Sequence, residues 1–234
     1  MQPTPRALQR TAFILILAGC SGLPASIAWA DEPPPTNWKK YYERTAKRPP
    51  RPVLLDALQR FAEEGRSVGQ AVDAGCGSGI DTLYLLAEGI AVHAFDTEPA
   101  AIEALRKDLP PELANRLRTE VAPFHQATWD DDVDLVFAGF ALPFAHPDDF
   151  DSSWRQLVDA LAVGGRFAGH LFGDRDDWAA RPDRTHHTRE QAEALLGSQF
   201  EIEVFEEIED DRKSGGGRMK HWHYYEIIAK KVRD

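Results

Sequence analysis

Hydrophobic and polar positions follow two periods along this chain, one typical of buried strands and one typical of amphipathic helices. Short apolar runs predict strands at residues 70–74, 90–96, 118–124, 133–139 and 166–172. Apolar residues at helical spacing predict helices at 53–62, 81–88, 100–109 and 148–162, with a short one at 112–117. Strands that alternate with helices predict an α/β fold around a largely parallel sheet.

The last part of the chain departs from this alternation. Thr188 and Gln191 have the spacing of a capping box and predict the start of a helix at 189–196. Alternating apolar residues then predict a strand at 200–208, and residues 221–230 predict a closing strand. The segment 210–218, which holds three glycines, is expected to be the turn or loop of this hairpin.

Three glycines at alternate positions follow the first predicted strand. Gly75, Gly77 and Gly79 lie directly before the helix predicted at 81–88. Glycines let the backbone turn tightly and let a ligand approach the main chain without meeting a Cβ atom. Strand, glycine turn and helix in this order predict a nucleotide-binding βαβ unit.

Two acidic residues narrow the choice of ligand. The dinucleotide pattern needs a glycine at Ile80, and the phosphate-loop pattern needs Gly-Lys at Ile80-Asp81. Asp73, two residues before the first glycine, would repel a pyrophosphate and attract an ammonium group. Asp96 ends the second strand, 23 residues after Asp73, where a carboxylate accepts hydrogen bonds from a ribose. An amine and a ribose in one ligand describe S-adenosylmethionine (SAM). The alternative is a Rossmann-like domain with a degenerate or different ligand, such as a nicotinamide oxidoreductase.

The stretch Val72-Asp-Ala-Gly-Cys-Gly-Ser-Gly79, together with Asp96, resembles the class I SAM-dependent methyltransferases. Within that family it resembles the small-molecule branch of tellurite-resistance-type and thiopurine-type enzymes, from about Trp38 to Lys231. The resemblance implies a Rossmann-like seven-stranded sheet, mostly parallel with an antiparallel strand 7, and helices on both faces. It also implies SAM as the cofactor and methyl transfer to a small, soft or oxyanionic acceptor. The cofactor-binding positions that it implies are Asp73, Gly75, Cys76, Gly77, Gly79, Asp96, Thr97, Ala127, Thr128 and Tyr42.

The acceptor site is less clearly marked. Enzymes that methylate amino nitrogens of DNA bases or protein glutamine carry Asn/Asp-Pro-Pro-Tyr/Phe after the fourth strand, where this chain has Phe140-Ala-Leu-Pro-Phe144. Because the polar residue is missing, we expect Phe140 and Phe144 to form an apolar wall of a small-molecule pocket, or else to belong to the core. His170, Asp174 and Arg175, at the end of the fifth strand, are further candidates for substrate contact. A salt-bridged loop without a catalytic role is the alternative for this segment. No catalytic residue is predicted.

Residues 1–30 have the pattern of a secretory signal peptide. Arg6 and Arg10 precede the short apolar run 12–18, and Ala28-Trp-Ala30 provides a cleavage site. In a second interpretation, Leu17-Ala-Gly-Cys20 is a lipobox and Cys20 carries a lipid anchor. Residues 31–37 are expected to be a proline-rich tether and 38–234 a methyltransferase domain. We therefore expect a protein that is exported in a bacterium, periplasmic or lipid-anchored, with a cytoplasmic enzyme as the alternative if the start is assigned wrongly.

Charge and cysteine content limit the partners. The formal net charge of −11 becomes −13 when residues 1–30, with two arginines and no acids, are removed. This charge argues against a nucleic-acid partner, because nucleic-acid binders carry a basic surface. Cys20 and Cys76 are the two cysteines, so no disulfide framework is expected. The pair His186-His187 lacks further ligands at metal-binding spacing, and no metal is expected.

Two functions from different classes remain open at this point. One is SAM-dependent methyl transfer to a small-molecule acceptor. The other is an exported SAM-fold binding or interaction module without turnover, which the predicted export signal motivates because SAM is made in the cytosol. The complete glycines and both acids favour the enzyme, since a module that no longer binds the cofactor need not keep them.

Overall fold

The computed structural model describes residues 38–45, 47–214 and 217–233. The predicted signal segment 1–30, with Cys20 and its lipobox, and the tether 31–37 lie outside the described residues. All the elements below belong to the unit formed by residues 37–234. None of the helices in the described part of the chain is long and apolar enough to cross a bilayer.

The described residues form eight strands and six α-helices. The strands are β1 (Gln70–Ala74), β2 (Ala91–Asp96), β3 (Leu117–Val121), β4 (Val133–Ala138), β5 (Leu161–Gly173), β6 (His186–His187), β7 (Phe200–Lys213) and β8 (Met219–Lys231). The helices are α1 (Trp38–Thr45), α2 (Pro52–Glu63), α3 (Ile80–Ala87), α4 (Pro99–Asp108), α5 (Pro147–Ala160) and α6 (Arg189–Leu196). Short 3₁₀ turns lie at Pro111–Arg116, Phe124–Gln126 and Leu142–Phe144.

The sheet has the strand order β3-β2-β1-β4-β5-β8-β7. Strands β1 to β5 are parallel, and β8 lies antiparallel between β5 and β7. The two-residue β6 adds an eighth strand beside β5. The predicted Rossmann-like α/β fold, with its antiparallel closing strand between strands of the sheet, is confirmed.

Helices cover both faces of the sheet, as predicted. One face packs against α2, α3 and α4 through Leu54, Leu85, Leu86, Ile102 and Leu105. The other face packs against α5 and α6 through Phe150, Trp154, Leu157, Ala192 and Leu196. Apolar residues on both faces explain why β1 and β4 are mostly apolar runs rather than alternating patterns.

The strand order reverses at β1, which lies between β2 and β4. The chain leaves β1 toward α3 and β2 on one side, and returns later to place β4 on the other side. In open α/β sheets, ligands bind at this reversal, beyond the carboxyl ends of the strands. The glycine turn after β1 is located at this point.

The helix predicted at 148–162 is shorter than expected. Helix α5 ends at Ala160, and β5 begins at Leu161. Between the pairs Val133–Leu161 and Leu135–Arg166 the register shifts, so that this part of β5 has three more residues than the part of β4 that it pairs with. Gly164, with φ of +86°, lies in this bulge and gives the backbone a left-handed conformation.

The hairpin is longer than its sequence indicates. Residues 210–213 belong to β7, where the prediction placed a loop at 210–218, and β8 begins at Met219. Cross-strand pairs stabilise these polar residues, since Asp210 lies opposite Trp222 and the Arg212 guanidinium lies over the Trp222 ring at 5.5 Å.

Two boundaries near β3 also differ. The short helix predicted at 112–117 is a 3₁₀ turn at Pro111–Arg116. The strand predicted at 118–124 is β3, which ends at Val121. Pro123 has no N–H to donate and a second 3₁₀ turn begins at Phe124, so the strand does not continue.

Candidate active site

The glycine turn after β1 has a left-handed backbone at each of its three glycines. Gly75, Gly77 and Gly79 have φ of +76°, +55° and +80°. The N–H groups of Gly75 and Cys76 both donate to the carbonyl oxygen of Phe95, at 2.9 and 3.0 Å. These two bonds hold the turn against the end of β2, where the second acidic residue lies.

Two of the glycines are required by packing as well as by conformation. A Cβ at Gly75 would lie 2.5 Å from the Cβ of Ala141, and a Cβ at Gly79 would lie 2.4 Å from Cδ1 of Leu105. At Gly77 the nearest atom would be Cε1 of Tyr42, at 3.3 Å. The middle glycine therefore faces the ring of a side chain rather than the tightly packed core.

Asp96 ends β2 beside this turn. Its Oδ2 accepts a hydrogen bond from the Gly77 N–H at 2.9 Å, and its Oδ1 accepts one from the Glu98 N–H at 2.9 Å. The Tyr42 hydroxyl lies 3.5 Å from Oδ1. Burial raises the pKa of Asp96, and the two backbone bonds oppose that rise. Its carboxylate is thus fixed in position by the main chain of the glycine turn.

Asp73 lies on β1 and is only 2% exposed. The Thr82 hydroxyl donates to its Oδ2 at 2.5 Å. Burial, followed by the nearby charge of Asp81, raises the pKa of Asp73 to about 7. A buried carboxyl group whose ionisation is disfavoured gains most when a cation arrives, because the cation stabilises the charged form.

Asp81, in the first turn of α3, joins the segment before α2 to this site. It forms an ion pair with Arg48 and accepts the Arg51 N–H at 2.9 Å. Arg48, Arg51 and Thr82 were not among the residues predicted from the sequence. The one sequence signal for the arginines was their place in the proline-rich stretch before α2, and the pairing with Asp81 depends on the tertiary structure.

The residues around the turn fit the methionine and ribose parts of SAM. The missing Cβ at Gly77 leaves space beside the Tyr42 ring, in which a ligand can approach the main chain. Asp96 retains acceptor capacity beyond its two backbone bonds, since a carboxylate offers about four lone-pair sites, which suits a ribose diol. Asp73 offers an acidic group to an ammonium ion.

Tyr42, on α1, is a buried side chain beside these acids. It is 7% exposed, and burial and the charge of Asp96 raise the pKa of its phenol, so the hydroxyl stays protonated and can donate. Trp38 on the same helix stacks on Tyr42 with ring centroids 6.1 Å apart. The predicted neighbourhood of Tyr42 and the glycine motif is thus observed, whereas its contact with a cofactor stays a prediction.

The other predicted cofactor-binding residues are Cys76, Thr97, Ala127 and Thr128. Cys76 is 6% exposed, and burial raises the pKa of its thiol well above the usual range. Thr97 is exposed and follows Asp96 directly. The N–H groups of Ala127 and Thr128 donate to the Pro123 carbonyl and to Glu120, at 2.9 and 3.1 Å. An adenine contact at Ala127 and Thr128 stays a prediction, and these two N–H groups already have partners.

Phe140 and His170, both predicted substrate residues, are in contact. Their rings stack with centroids 3.9 Å apart and an interplanar angle of 12°. The Arg51 guanidinium lies over the Phe140 ring, 5.0 Å from its centroid. His170 Nε2 lies 3.1 Å from Oε2 of Glu226 on β8. The sequence did not indicate Glu226, because its pairing with His170 depends on the register of β5 and β8.

Phe144 belongs to a group of rings at the same edge of the sheet. Its ring centroid lies 5.1 Å from that of Trp38, 5.8 Å from that of Phe172 and 6.1 Å from that of Trp178. The Arg184 guanidinium lies over the Phe144 ring, 4.6 Å from its centroid. Phe144 is half-buried, so part of this group of rings is accessible to solvent.

Asp174 and Arg175 lie in an exposed salt-bridged loop. Arg175 pairs with Glu207 and Glu209 of β7, both at 2.7 Å. Asp174 lies 3.6 Å from Nδ1 of His223. The structure joins this loop to β7 and β8, which corresponds to the alternative interpretation of the segment.

The paired histidines form the short strand β6. His186 lies opposite Phe172 in the register of β5 and β6. His187 is buried against Phe150, and burial lowers its pKa to about 4. Within the described ranges, no group of three or more His, Cys, Asp or Glu side chains could hold a metal ion.

Comparisons with known proteins agree with this arrangement. A family model described as a methyltransferase domain matches residues 71–165, from β1 into β5. Ribosomal protein L11 methyltransferase of Bacillus subtilis (strain 168) is 36% identical over 66 residues, which are 28% of this chain and 20% of that protein. The match thus spans about a fifth of the length of the curated relative.

Solved structures show the same fold. The 1,6-didemethyltoxoflavin-N1-methyltransferase of Burkholderia thailandensis, with 1,6-didemethyltoxoflavin and S-adenosylhomocysteine bound, is 23% identical, covers 78% of each chain and has a TM-score of 0.57. TehB from Haemophilus influenzae is 17% identical, covers 82% of this chain and 65% of that one, and has a TM-score of 0.66. Magnesium protoporphyrin IX methyltransferase from Synechocystis PCC 6803, with SAM bound, is 14% identical, covers 84% and 91%, and has a TM-score of 0.61.

The matched domain begins at the strand that carries Asp73 and includes the whole glycine turn and Asp96. The resemblance to the small-molecule branch stays a prediction, because fold similarity at these identities does not select a branch. Residues 71–165 therefore match a methyltransferase domain, and the described chain shares the fold of the SAM-dependent methyltransferase structures to which it is similar.

Proposed function

We propose that this protein transfers a methyl group from SAM to a small-molecule acceptor. The observation that carries the proposal is the glycine turn with its two acids, in which the Gly77 N–H fixes Asp96 and Thr82 fixes Asp73. When bound, the cofactor supplies an electrophilic methyl group on a sulfonium. The chain then has to hold the cofactor, align the acceptor and exclude water.

Each part of the site has a role in this proposal. Asp96 accepts hydrogen bonds from the ribose hydroxyls, and Asp73 holds the amine of the methionine part, directly or through water. Gly77 lets the ligand approach the main chain. Tyr42 and Trp38, on α1, cover the turn and limit the access of water. Because a carboxylate on Asp73 attracts the ammonium, binding depends on its ionisation.

A small acceptor is supported by the half-buried rings at the edge of the sheet and by the charge of the chain. Two of the named structural neighbours are described by small-molecule substrates, 1,6-didemethyltoxoflavin and magnesium protoporphyrin IX. The net charge of −11 disfavours nucleic acid as the acceptor. The absence of a polar residue in Phe140-Ala-Leu-Pro-Phe144 disfavours methylation of the amino nitrogens of DNA bases or protein glutamine.

Calorimetric titration with S-adenosylhomocysteine, with NAD as the control ligand, tests the proposal. We expect binding of the first ligand alone, and weaker binding after Asp96→Ala. Binding of NAD instead would support the nicotinamide alternative, and binding of neither would support a module without turnover. Methylation of any acceptor by the purified protein would dismiss that module.

Export is a separate part of the proposal and rests on the sequence pattern of residues 1–30. We propose that the protein is exported in a bacterium and is periplasmic or lipid-anchored through Cys20. Fractionation of cells that express the full chain, with metabolic labelling by a palmitate analogue, separates these outcomes. Label that Cys20→Ala removes would support the lipid anchor. Unprocessed protein in the cytoplasm would contradict export.

A further inference from the structure

His170 is a buried imidazole with one paired and one unpaired nitrogen. Its side chain is 3% exposed, and Nε2 lies 3.1 Å from Oε2 of Glu226. Nδ1 is buried and has no hydrogen-bond partner in the described part of the chain. An unpaired buried polar atom is costly in a folded protein, so its retention calls for an explanation such as a catalytic role.

The pairing with Glu226 fixes the tautomer of His170. An ionised carboxylate oxygen can accept a hydrogen bond but cannot donate one, so the proton belongs on Nε2. A neutral imidazole with Nε2–H has its free lone pair on Nδ1. The unpaired atom is therefore a proton acceptor, and Glu226 orients it, as in carboxylate–histidine pairs that act as general bases.

Charged groups from several elements act on this imidazole. They are Glu226 on β8, Arg51 before α2 and Asp81 on α3, and Tyr224 on β8 lies close by with its ring centroid at 5.7 Å. Burial lowers the pKa of His170, and Arg51 adds to this effect, whereas Glu226 and Asp81 oppose it. The imidazole is thus neutral at pH 7 and able to accept a proton.

His170 lies on the same face of the sheet as Asp73. Asp73 is opposite Phe137 in β4, and Phe137 is opposite Ala168 in β5. Two residues beyond Ala168, His170 points to the same face, one step closer to the carboxyl edge. Strand β4 alone separates β1 from β5, so the two strands are about 10 Å apart. The imidazole therefore lies on the face of the sheet that carries Asp73, two strands away from it.

Phe140 covers the imidazole in a strained conformation. Its φ is +55°, which is uncommon for a residue with a bulky side chain. Gly139 before it lies against Arg51, where a Cβ would be 2.6 Å from Cδ of that arginine. Strained residues of this kind persist where the surrounding structure enforces them, and they cluster at functional sites.

Aromatic rings surround this position. The centroid of the Phe140 ring lies 4.9 Å from that of Tyr224, 6.0 Å from that of Trp222 and 6.4 Å from that of Phe172. Phe140 and Trp222 are half-buried, so part of this group of rings is exposed. An acceptor that binds among these rings meets aromatic walls, which favour an aromatic molecule.

We propose that His170 is the general base of the methyl transfer and that the acceptor is an aromatic molecule with a hydroxyl group. The proposal rests on the proposed function. The acceptor O–H bond breaks and its proton moves to Nδ1. The oxygen lone pair forms the new O–CH₃ bond, and the electrons of the broken C–S bond remain on the cofactor sulfur. Glu226 is a positioning residue that stabilises the imidazolium.

Nitrogen NMR of the histidine rings in the full chain tests the tautomer without any turnover, with His170→Gln to assign the signals. We expect His170 to be neutral at pH 7 with the proton on Nε2, and catechol added with S-adenosylhomocysteine to shift the Nδ1 signal. A proton on Nδ1, or a charged imidazole at pH 7, would overturn the proposal. The readouts of tautomer and charge do not depend on whether SAM is the methyl donor.

Methyl transfer to a series of phenols tests the base directly. For phenols that are protonated at neutral pH, His170→Gln should lower kcat by about 10² to 10⁴-fold. A nitrophenol that is already ionised should be affected much less. Glu226→Gln should lower kcat less than His170→Gln and shift the pH profile. His221→Gln removes a surface histidine that pairs with Glu209 in the same hairpin, and it should leave the rates unchanged.

The outcomes separate this proposal from the proposed function. Failure to bind S-adenosylhomocysteine would overturn the function itself. Binding together with equal rates for His170→Gln and the wild type would overturn the base and leave the function intact. Binding without transfer to any phenol of the series would overturn the proposed class of acceptor.

Discussion

The backbone N–H of Gly77 donates a hydrogen bond to Oδ2 of Asp96 at 2.9 Å. This bond connects the middle of the glycine turn after β1 to the last residue of β2. The two sequence features that predicted SAM are therefore one structural unit. A ligand that lies on the turn also lies beside the carboxylate.

We predict that Asp96→Asn disrupts this unit. Both carboxylate oxygens accept a backbone N–H, from Gly77 and from Glu98, so the amide NH₂ of asparagine must face one of the two donors. We expect at least a tenfold loss of affinity for S-adenosylhomocysteine by calorimetry. The unsatisfied donor should lower the free energy of unfolding by about 1–3 kcal/mol. Asp108→Asn, at the exposed end of α4, is the control, and unchanged affinity in Asp96→Asn would refute the assignment.

Asp73 predicts a pH dependence of cofactor binding. Its pKa of about 7 in the free protein means that the carboxyl group is partly protonated at neutral pH. An ammonium ion favours the ionised form, so affinity for S-adenosylhomocysteine should rise from pH 6 to pH 7.5. Thr82, Asp81, Arg48 and Asp96 are the neighbours that set this pKa. Calorimetry over this range should give a slope that Asp73→Asn abolishes, and an equal slope in both proteins would contradict the prediction.

We also predict that Asp73→Asn raises the free energy of unfolding above neutral pH. A folded-state pKa raised above the ordinary 3.8 means that Asp73 favours the folded state fully at low pH and loses this contribution as the pH rises through about 7. Asp73→Asn should therefore raise the free energy of unfolding at pH 8, by at most about 4 kcal/mol, and not at pH 4. Urea denaturation at both pH values measures the difference. A loss of stability at pH 8 would show that the carboxylate is favourably paired.

We predict that Gly79→Ala destabilises the protein through a steric clash as well as through its backbone conformation. Gly65→Ala serves to measure the conformational part alone. Gly79→Ala places a Cβ 2.4 Å from Cδ1 of Leu105 and leaves φ at +80°. Gly65→Ala has φ of +69° and meets no atom within 4 Å, so it reports the conformational cost alone. We expect about 1–2 kcal/mol for Gly65→Ala and about 1–3 kcal/mol more for Gly79→Ala, measured by urea denaturation. Equal losses would mean that α4 moves freely to accept the methyl group.

We predict that Arg166→Ala, outside the candidate active site, causes a large loss of stability. Its side chain is 1% exposed and pairs with Glu64 at 2.6 Å and Glu203 at 2.7 Å. Arg166→Ala removes the partner of partly buried carboxylates and should cost about 3–5 kcal/mol. Lys230→Ala removes another partner of Glu64, 25% exposed and at 2.7 Å, and should cost at most about 1 kcal/mol. Similar costs for the two variants would contradict the role of burial in this network.

Local sequence was sufficient for the cofactor half of the site. Asp73, the three glycines and Asp96 lie within 24 residues of chain, and glycine conformations and strand ends are local properties. The capping box at Thr188 and Gln191 was likewise predicted and is present. Boundaries were less accurate where tertiary pairing decided them, as in the bulge at Gly164 and the extension of β7 to Lys213.

The acceptor half depended on contacts that no local pattern specifies. Residues 170 and 226 are 56 positions apart, and their pairing follows from the register of antiparallel β5 and β8. The stacking of Phe140 on His170 and the pairing of Arg48 with Asp81 likewise join separate elements. The sequence by itself determined the strand, the turn, the helix and the two acids, because backbone preferences and apolar periods act over a few residues. The tertiary structure alone decided which side chains face each other, because register and packing between distant strands depend on the whole core.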